Sequence, residues 1–548
     1  MNYNQLTFWL FFVVVLAVYW RLDHRRQNTF MTVASYAFYG FWDHRFLYLI
    51  FLSTVIDFIG GLGVANLQLP RARLRRLGLL LTASALFLTS GIAYPALFAA
   101  LRSLDAAGLL AALPHRAADL YVTVATAGAC LAYGAVLPRL YTLPEARRRK
   151  VFLAISMVAN LAILGFFKYC DFFITSLQGL LSAMGFDIHP STLGIILPAG
   201  ISFYTFQAMS YTIDIYRGQA EPTTHLGDFA LFVCFFPHLV AGPIMRAHTL
   251  LPQVVKPRRL APGAVEEGLA LVLVGLFKKM VIADNMAPIA NAVFFRFQDG
   301  TSAGLSGVDV LIGIYAFAFQ IYGDFSGYSS IARGISKWMG FELVVNFHNP
   351  YLAVSPSDFW RRWHISLSSW LRDYLYIPLG GSRHGKGSEY RNLMLTMLLG
   401  GLWHGASWTF VVWGFYHGAI LCIFRLLGVK DPRPQDGLRW LLRVVVMFHL
   451  TCIGWLLFRA DSFKTIVDMA TLLVTSFSPG PAAFVPLALI LFYCAILFVV
   501  EIFTDGENRI RRLLDSPAAL QGAFYAYLIF MLAVFSAEEA VEFIYFQF

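Results

Sequence analysis

The sequence predicts an all-α polytopic membrane protein. Of its 548 residues, 58% are hydrophobic and only 14% are charged, and the mean hydropathy is +0.63. A soluble globular protein of this length does not need so much apolar surface. Apolar runs of about 20 residues recur from end to end, and each can cross a hydrocarbon core of about 30 Å. The runs lack strand-like alternation, and lipid satisfies no backbone polar groups, so roughly a dozen helical spans are predicted.

Basic residues follow alternate predicted spans, and this pattern sets the orientation. Clusters within 21–26, 71–76 and 147–150 come after the first, third and fifth spans. Because basic loops stay in the cytoplasm, the N-terminus is predicted to lie outside. Arginines follow the first apolar run, Leu6–Trp20, so this run is interpreted as a span and not as a cleavable signal. The net charge of +10 then reflects topology and contact with anionic lipid, and it requires no nucleic acid.

The chain divides into three regions of one integral membrane domain. Residues 1–170 form simple spans between short basic loops and show no sign of catalysis. Residues 171–430 are irregular, and residues 431–548 return to apolar spans. In the middle region, two prolines and a glycine interrupt the apolar run Phe235–Pro243, which predicts a re-entrant element. The stretch Gln320–Ser330, with two glycines, predicts a second break.

An amphipathic helix is predicted over Asp358–Tyr376, where aromatic and apolar residues recur at helical spacing. This segment is too charged to cross a bilayer easily, and it suits an interface or a cavity. A helical pair is then predicted from about Leu393 to Arg425. The motifs of phosphate-binding loops, zinc proteases and serine hydrolases do not occur. The six cysteines lie singly in apolar segments, so neither a disulfide framework nor a zinc site is expected.

His404 is the first candidate for chemistry, because it is an ionisable residue in a run apolar enough to lie in a bilayer. It is either a general base or acid, or a histidine that bridges two helices by hydrogen bonds. The flanking Gly400, Gly401 and Gly405 favour the functional interpretation, because they permit close approach of a substrate. On a continuous helix His417 lies about 140° around from His404, and it is expected to be structural.

His364 is the second candidate, and it follows Arg361 and Arg362 closely. Two arginines beside a histidine suit the phosphates of a nucleotide-bearing donor. An interfacial helix on lipid headgroups gives the same pattern and is favoured by the residues alone. Asp324 is a carboxylate among apolar and aromatic neighbours, expected to pair with Arg333 or to accept hydrogen bonds from hydroxyls. A structural and a functional carboxylate give the same pattern in a sequence.

Five segments resemble the membrane-bound O-acyltransferase family, and its bacterial alginate O-acetyltransferase branch in particular. Asp358–Gly381, which contains Trp-Arg-Arg-Trp-His-Ile-Ser-Leu-Ser, and Gly401–Ala406 resemble the two histidine motifs of the family. Asp324–Tyr328, Asn346–Tyr351 and the ending Phe543–Phe548 are similar to further family segments. The two histidine motifs are long and specific, so they identify the chain as a member of this family.

The resemblance implies a ring of transmembrane helices, with re-entrant and interfacial helices, around a central tunnel. His404 and His364 would be catalytic residues near its narrow part. The donor would be cytoplasmic acetyl-CoA, bound as a substrate, with neither a tightly bound cofactor nor a metal. The acetyl group would cross the membrane to a polysaccharide such as alginate. The residues implied in substrate binding are Trp360, Arg361, Arg362, Trp363, Trp403, Asp324 and Asn349.

The resemblance also implies a setting and partners. The chain would be a multi-pass protein of the bacterial cytoplasmic (inner) membrane. Its partners would be acyl-CoA, the lipid bilayer, and a periplasmic SGNH-type acetyltransferase or a polysaccharide-modification complex. Three other functions stay open: D-alanyl transfer from a carrier-protein thioester to a cell-wall polymer, a transporter or export subunit, and lipid-directed acylation. A transporter predicts inverted repeats, which the sequence does not show.

Overall fold

The computed structural model describes residues 2–114, 116–186, 188–239, 242–480, 483–503, 509–537 and 541–544. All regular secondary structure among these residues is helical, which confirms the predicted all-α class. The helices in the described residues are α1 (Leu6–Tyr19), α2 (His24–Gly40), α3 (Leu47–Val64), α4 (Arg71–Thr89), α5 (Tyr94–Ser103), α6 (Ala106–Ala111), α7 (Tyr121–Tyr141), α8 (Glu145–Leu164), α9 (Cys170–Ala183), α10 (Ile201–Tyr216), α11 (Leu226–Cys234), α12 (Phe236–Leu239), α13 (Ala247–Val255), α14 (Ala264–Leu276), α15 (Asp284–Gln298), α16 (Gly307–Trp338), α17 (Pro356–Arg362), α18 (Ile365–Leu371), α19 (Lys386–His404), α20 (Trp408–Leu426), α21 (Leu438–Arg459), α22 (Phe463–Thr475), α23 (Phe484–Phe503), α24 (Arg509–Leu514) and α25 (Ala518–Phe535).

The described chain holds several membrane-spanning helices, so the protein is a multi-pass membrane protein. Seven helical segments are long and apolar enough to cross a bilayer, or eight if α4 and α5, bent by 96°, form one span. This number is smaller than predicted, because the middle of the chain divides its apolar runs into shorter helices such as α10, α11 and α15. In α7 and α25 only 11% of the most apolar window is buried, so these helices present apolar side chains to lipid.

The central helix of the core is α16, whose most apolar window is 78% buried. The predicted break at Gln320–Ser330 is wrong, because α16 runs through this stretch without interruption. A Cβ on Gly323 would lie only 2.7 Å from the Lys278 carbonyl oxygen, and one on Gly327 would lie 2.8 Å from that of Gly275. The two glycines therefore serve close packing between helices, a common use of small residues in membrane bundles.

Two other apolar segments are broken. The run Phe235–Pro243 is irregular as predicted: α11 ends at Cys234, α12 covers only four residues, and the described positions are buried. Val240 and Ala241, within this run, lie outside the described residues. The amphipathic helix predicted over Asp358–Tyr376 is wrong as one element, since it divides into α17, α18 and a π-helical turn. The predicted helical pair is confirmed as α19 and α20.

The C-terminal segment returns to the central helix. The Ile544 amide donates a hydrogen bond of 2.7 Å to Oδ2 of Asp324 on α16. The Phe543 ring lies 4.5 Å from that of Tyr328 and 5.9 Å from that of Phe325. Residues 545–548, the rest of the ending that resembles the family, lie outside the described residues. The described part of this ending is thus built into the core beside α16.

Candidate active site

His404 is the last residue of α19 and lies inside the protein, with 5% of its surface exposed. Gly405 leaves the helix in an extended conformation, with φ −158° and ψ 150°. A side chain on Gly405 would overlap the Phe410 ring. The hydroxyl of Ser407 then accepts a hydrogen bond of 3.2 Å from the Thr409 amide at the start of α20. Sequence and packing together place an imidazole at a buried helix end.

His364 lies between α17 and α18 in a left-handed backbone conformation, with φ 43° and ψ 54°. Asn346 fixes this turn. Its main-chain carbonyl accepts a hydrogen bond of 2.9 Å from the Ile365 amide, and its side-chain oxygen accepts one of 2.9 Å from the Ser366 hydroxyl. The His364 ring is fully buried, and neither ring nitrogen has a hydrogen-bonding partner among the described residues. Since buried polar groups are normally paired, the two ring nitrogens make His364 a candidate functional residue.

One indole, that of Trp403, contacts both histidines. Its ring centroid lies 6.0 Å from that of His364 and 5.1 Å from that of His404. Phe203 of α10 packs on the same indole at 5.2 Å and lies 6.1 Å from His364. The two histidine motifs therefore share one buried aromatic environment, in which hydrogen bonds and charges act more strongly than in water.

His417 lies near His404, contrary to the expectation from a helical wheel. The angle of about 140° assumed a continuous helix, whereas the chain leaves the helix at Gly405. Trp413 contacts both rings, at 5.0 Å from His404 and 4.6 Å from His417. A Cβ on Gly454 would lie 2.6 Å from Nε2 of His417. This tight packing between α20 and α21 supports the structural role predicted for His417.

Two residues of the N-terminal region, Lys168 and Tyr169, bind the last turn of α19. The Lys168 ammonium donates hydrogen bonds to the carbonyl oxygens of Trp403 at 2.6 Å and His404 at 3.1 Å. The Tyr169 hydroxyl donates to the Leu402 carbonyl at 2.7 Å. The sequence analysis missed both residues, because it took residues 1–170 as simple spans. A lysine in an apolar run was the signal that could have found them.

Arg361 and Arg362 both form ion pairs with Asp358. For Arg361, Nη2 lies 3.4 Å from Asp358 and 3.3 Å from Asp431, and 62% of its side chain is exposed. For Arg362, Nε lies 3.0 Å from Asp358, and 29% of its side chain is exposed. Exposed ion pairs such as those of Arg361 are weak. Arg361 is therefore the more available of the two for a phosphate-bearing donor, and Arg362 holds the turn before His364.

The remaining candidates from α17 and its neighbouring loop lie in packed surroundings. Trp363 is 1% exposed, with its ring stacked on Phe359 at 5.7 Å and lying 4.8 Å from that of Trp455. Trp360 lies 5.1 Å from the His417 ring. Asn349 is buried with φ 43° and begins a short 3₁₀ turn. Trp363 is thus part of an aromatic core and Asn349 part of a turn, and their contacts with a substrate stay predictions.

Asp324 has Lys279 as its partner rather than the predicted Arg333. The Lys279 ammonium lies 2.9 Å from Asp324 and 2.8 Å from Asp284, and at most 4% of any of these three side chains is exposed. The other oxygen of Asp324 accepts the hydrogen bond from Ile544. Asp324 meets Lys279 because the glycines of α16 let this helix pack against the π-helical turn Phe277–Ala283, which contains Lys279. This carboxylate binds an internal cation and the C-terminal segment.

The left-handed backbone of His364 leads to a prediction about its replacements. This conformation costs most residues other than glycine about 1–2 kcal/mol, while asparagine, like histidine, occurs there several-fold more often. We expect His364→Ala to be less stable than His364→Asn by about 1 kcal/mol. Thermal unfolding of both variants in the same detergent measures the difference. Equal midpoints would contradict the strain argument.

Part of the chain is similar to known proteins. Residues 222–449 match the model of the MBOAT, membrane-bound O-acyltransferase family. The chain is 46% identical over 311 residues to the Azotobacter vinelandii protein named "Probable alginate O-acetylase AlgI", an alignment that covers 57% of this chain and 60% of that protein. It is 38% identical over 354 residues to a peptidoglycan O-acetyltransferase of Helicobacter pylori, covering 60% of this chain and 65% of that protein.

A more distant relative is a teichoic acid D-alanyltransferase of Streptococcus thermophilus, 27% identical over 282 residues, with 47% of this chain and 67% of that protein covered. The chain spans about three-fifths of the length of the A. vinelandii relative. The matched family region contains both histidines and the Trp403 indole between them. Residues 222–449 therefore match the membrane-bound O-acyltransferase family, and the histidine site lies within this matched region.

Proposed function

We propose that this protein is an O-acetyltransferase that moves an acetyl group from cytoplasmic acetyl-CoA across the membrane, for O-acetylation of an extracytoplasmic polysaccharide such as alginate. The observation that carries the proposal is the pair of buried histidines, His364 and His404, on the single indole of Trp403. Two relatives named as an alginate O-acetylase and a peptidoglycan O-acetyltransferase support acetyl as the group and a polysaccharide as the acceptor.

The chemistry assigned to His404 is that of a general base. Its imidazole takes the proton of the acceptor hydroxyl while the hydroxyl oxygen attacks the thioester carbonyl. The tetrahedral oxyanion then collapses, the carbon–sulfur bond breaks, and the imidazolium returns the proton to the leaving thiolate. The products are an acetyl ester and a free thiol. His364 orients the donor or donates a hydrogen bond to the oxyanion. In a covalent variant the acetyl group rests on His404 between two such transfers.

The side on which the donor enters follows from charge. An ion pair between Glu389 and Arg425 joins the outer ends of α19 and α20, so the loops 381–385 and 427–437 lie at the same end of the pair. The two loops carry Arg383, Lys430 and Arg433, which favours the cytoplasmic side. Arg361 belongs to this end through its ion pair with Asp431. The coenzyme phosphates would meet Arg361 there, while His404 lies at the opposite end of α19.

The proposed function also includes the membrane in which the protein lies and its orientation there. We assign the chain to the cytoplasmic (inner) membrane of a bacterium, with its N-terminus outside. The acceptor polysaccharide is then on the other side of the membrane from the donor. A periplasmic SGNH-type acetyltransferase, alone or in a polysaccharide-modification complex, would take over the acetyl group.

The test is thiol release from acetyl-CoA by the purified protein in nanodiscs, with acceptor sugar and a periplasmic partner supplied. His404→Ala is expected to lower release by about 10³-fold or more. His449→Ala is the matched control, because this exposed ring lies away from the two motif histidines and forms hydrogen bonds with the Tyr315 hydroxyl at 2.7 Å and the Val445 carbonyl at 2.8 Å. Wild-type turnover in His404→Ala would overturn the mechanism.

A negative result with the folded wild-type protein also has a meaning. If the protein neither releases thiol nor binds acetyl-CoA, the acetyl-CoA proposal fails. D-alanyl transfer from a carrier-protein thioester, the alternative that the S. thermophilus relative favours, would then be tested with a charged carrier protein. Failure of both donors would favour a transport role.

A further inference from the structure

Lys168 is a cation placed at the end of the helix that presents His404. It lies in the π-helical turn Gly165–Tyr169 between α8 and α9. π-Helical turns within helices occur often at functional sites. The turn aims Lys168 at two consecutive carbonyls, those of Trp403 and His404, at 2.6 and 3.1 Å. The ammonium also lies 5.9 Å from the centre of the Trp403 ring and 3.4 Å from the Ser202 hydroxyl.

These contacts provide hydrogen-bond donors for carbonyl groups at the end of α19. The last carbonyls of a helix have no partner within the helix, and the extended Gly405 prevents α19 from supplying one. A cation at this end is also favoured by the helix dipole. Hydrogen bonds from a charged donor are about twice as strong as neutral ones. Lys168 therefore fixes the main chain of the residue that bears the proposed base, and of the indole that contacts both histidines.

The Lys168 ammonium bonds to the main chain of Trp403 and His404, whereas the nearby acidic residue Asp171 has other partners. The two oxygens of Asp171 accept hydrogen bonds from the amides of Leu193 and Gly194, at 2.9 and 3.0 Å. Asp171 thus ties down the loop before α10. A cavity of about 210 Å³ lies between these elements, with Lys168, Asp171 and Ala406 among its lining residues. Because Lys168 lines this cavity, a small ion that enters it would contact the Lys168 side chain.

We infer that Lys168 is a positioning residue for His404: it holds the last turn of α19 so that the imidazole keeps one orientation toward the reacting carbonyl. The inference rests on the proposed acetyl transfer and adds a residue from the N-terminal helices to its machinery. The reason for a large effect is geometric, because a misplacement of about 1 Å costs a catalytic group about 100-fold in rate. Replacing Lys168 does not alter the proposed donor site at Arg361, so we expect the binding of acetyl-CoA to be unchanged.

The first experiment measures kcat and KM for acetyl-CoA in Lys168→Ala. We expect kcat to fall by about 100-fold while KM stays within about twofold. Lys168→Arg should restore most of kcat, and propylammonium should restore part of it in Lys168→Ala, because the ion replaces the missing atoms from the cavity. Lys150→Met removes an exposed lysine of the same helical segment, and its kinetics should match the wild type. A fall in kcat that neither arginine nor propylammonium reverses would overturn the inference.

A second readout does not depend on turnover. Carbethoxylation of His404 by diethyl pyrocarbonate, followed by peptide mass spectrometry, reports how firmly the ring is held. We expect faster modification in Lys168→Ala, and wild-type rates in Lys168→Arg and in Lys150→Met. An unchanged rate in Lys168→Ala would overturn the positioning role. If the wild-type protein shows no acetyl transfer, the proposed function fails, and this readout still decides the role of Lys168.

Discussion

Gly401→Ala is expected to destabilise the protein by about 3 kcal/mol or more and to remove its activity. Helices α19 and α20 are in backbone contact at this position. A Cβ on Gly401 would overlap the Phe410 carbonyl oxygen and would lie 3.2 Å from Cα of Gly414. Backbone atoms cannot move aside as the end of a side chain can. The helices must therefore separate, and this displaces the end of α19, where His404 lies, and the following Gly405.

The neighbouring glycine provides the control. A Cβ on Gly400 would meet one side-chain atom, Cδ1 of Leu371 at 3.2 Å, which a small rotation of the leucine relieves. Gly400→Ala should therefore change stability by less than about 1 kcal/mol, close to the cost of a tolerated core substitution. Thermal unfolding monitored by size exclusion in detergent compares the two variants. Equal unfolding midpoints for Gly400→Ala and Gly401→Ala would show that α19 and α20 are not in backbone contact.

Lys279→Met is expected to cost about 3–5 kcal/mol, because removing one partner of a buried ion pair leaves uncompensated charge. The ammonium lies between two buried carboxylates, those of Asp284 and Asp324. It also donates a hydrogen bond of 2.8 Å to the Val541 carbonyl. Its loss should therefore also release the C-terminal segment, which faster proteolysis near Ile544 would detect.

Two comparisons separate this buried effect from the general loss of a lysine. Lys464 forms an ion pair of 2.5 Å with Asp468 on the surface, where 84% of its side chain is exposed. Lys464→Met should cost at most about 1 kcal/mol. Replacing Asp284 and Asp324 by asparagine in the Lys279→Met protein should recover part of the loss, since no charge then stays unpaired. A double replacement that destabilises the protein further would contradict this account.

Among the described residues, local sequence patterns did not predict correctly where two helices break. Glycines in Gln320–Ser330 predicted a break, yet Gly323 and Gly327 let a straight helix pack closely. Glycine frees the backbone and also removes a side chain, and only the neighbouring helix decides which property is used. At His364 the helix breaks although no glycine or proline there predicts a break. Its cause is the hydrogen bonding of Asn346, a residue distant along the chain.

The candidate site shows the same division. Composition predicted a helical membrane protein. His404 was a candidate because ionisable residues in lipid are costly and so mark function, and the resemblance of the motifs around His364 and His404 predicted the family. The arrangement around Trp403 depends on where α19 ends, which Gly405 permits but does not by itself require. A lysine in an apolar run marks Lys168 as a candidate, but the sequence could not give its role, because its partners are main-chain carbonyls, which carry no signal in a sequence.

The sequence by itself determined the membrane setting and the helical class, and it predicted the family and the two candidate histidines. These follow from hydropathy and from the identity of residues close together along the chain. The tertiary structure alone decided that His364 and His404 share an indole, that Asp324 belongs to an ion pair with Lys279, and that Lys168 holds the end of α19. Each of these is a contact between residues far apart along the chain, and it depends on distances of a few ångströms between packed helices that local patterns do not encode.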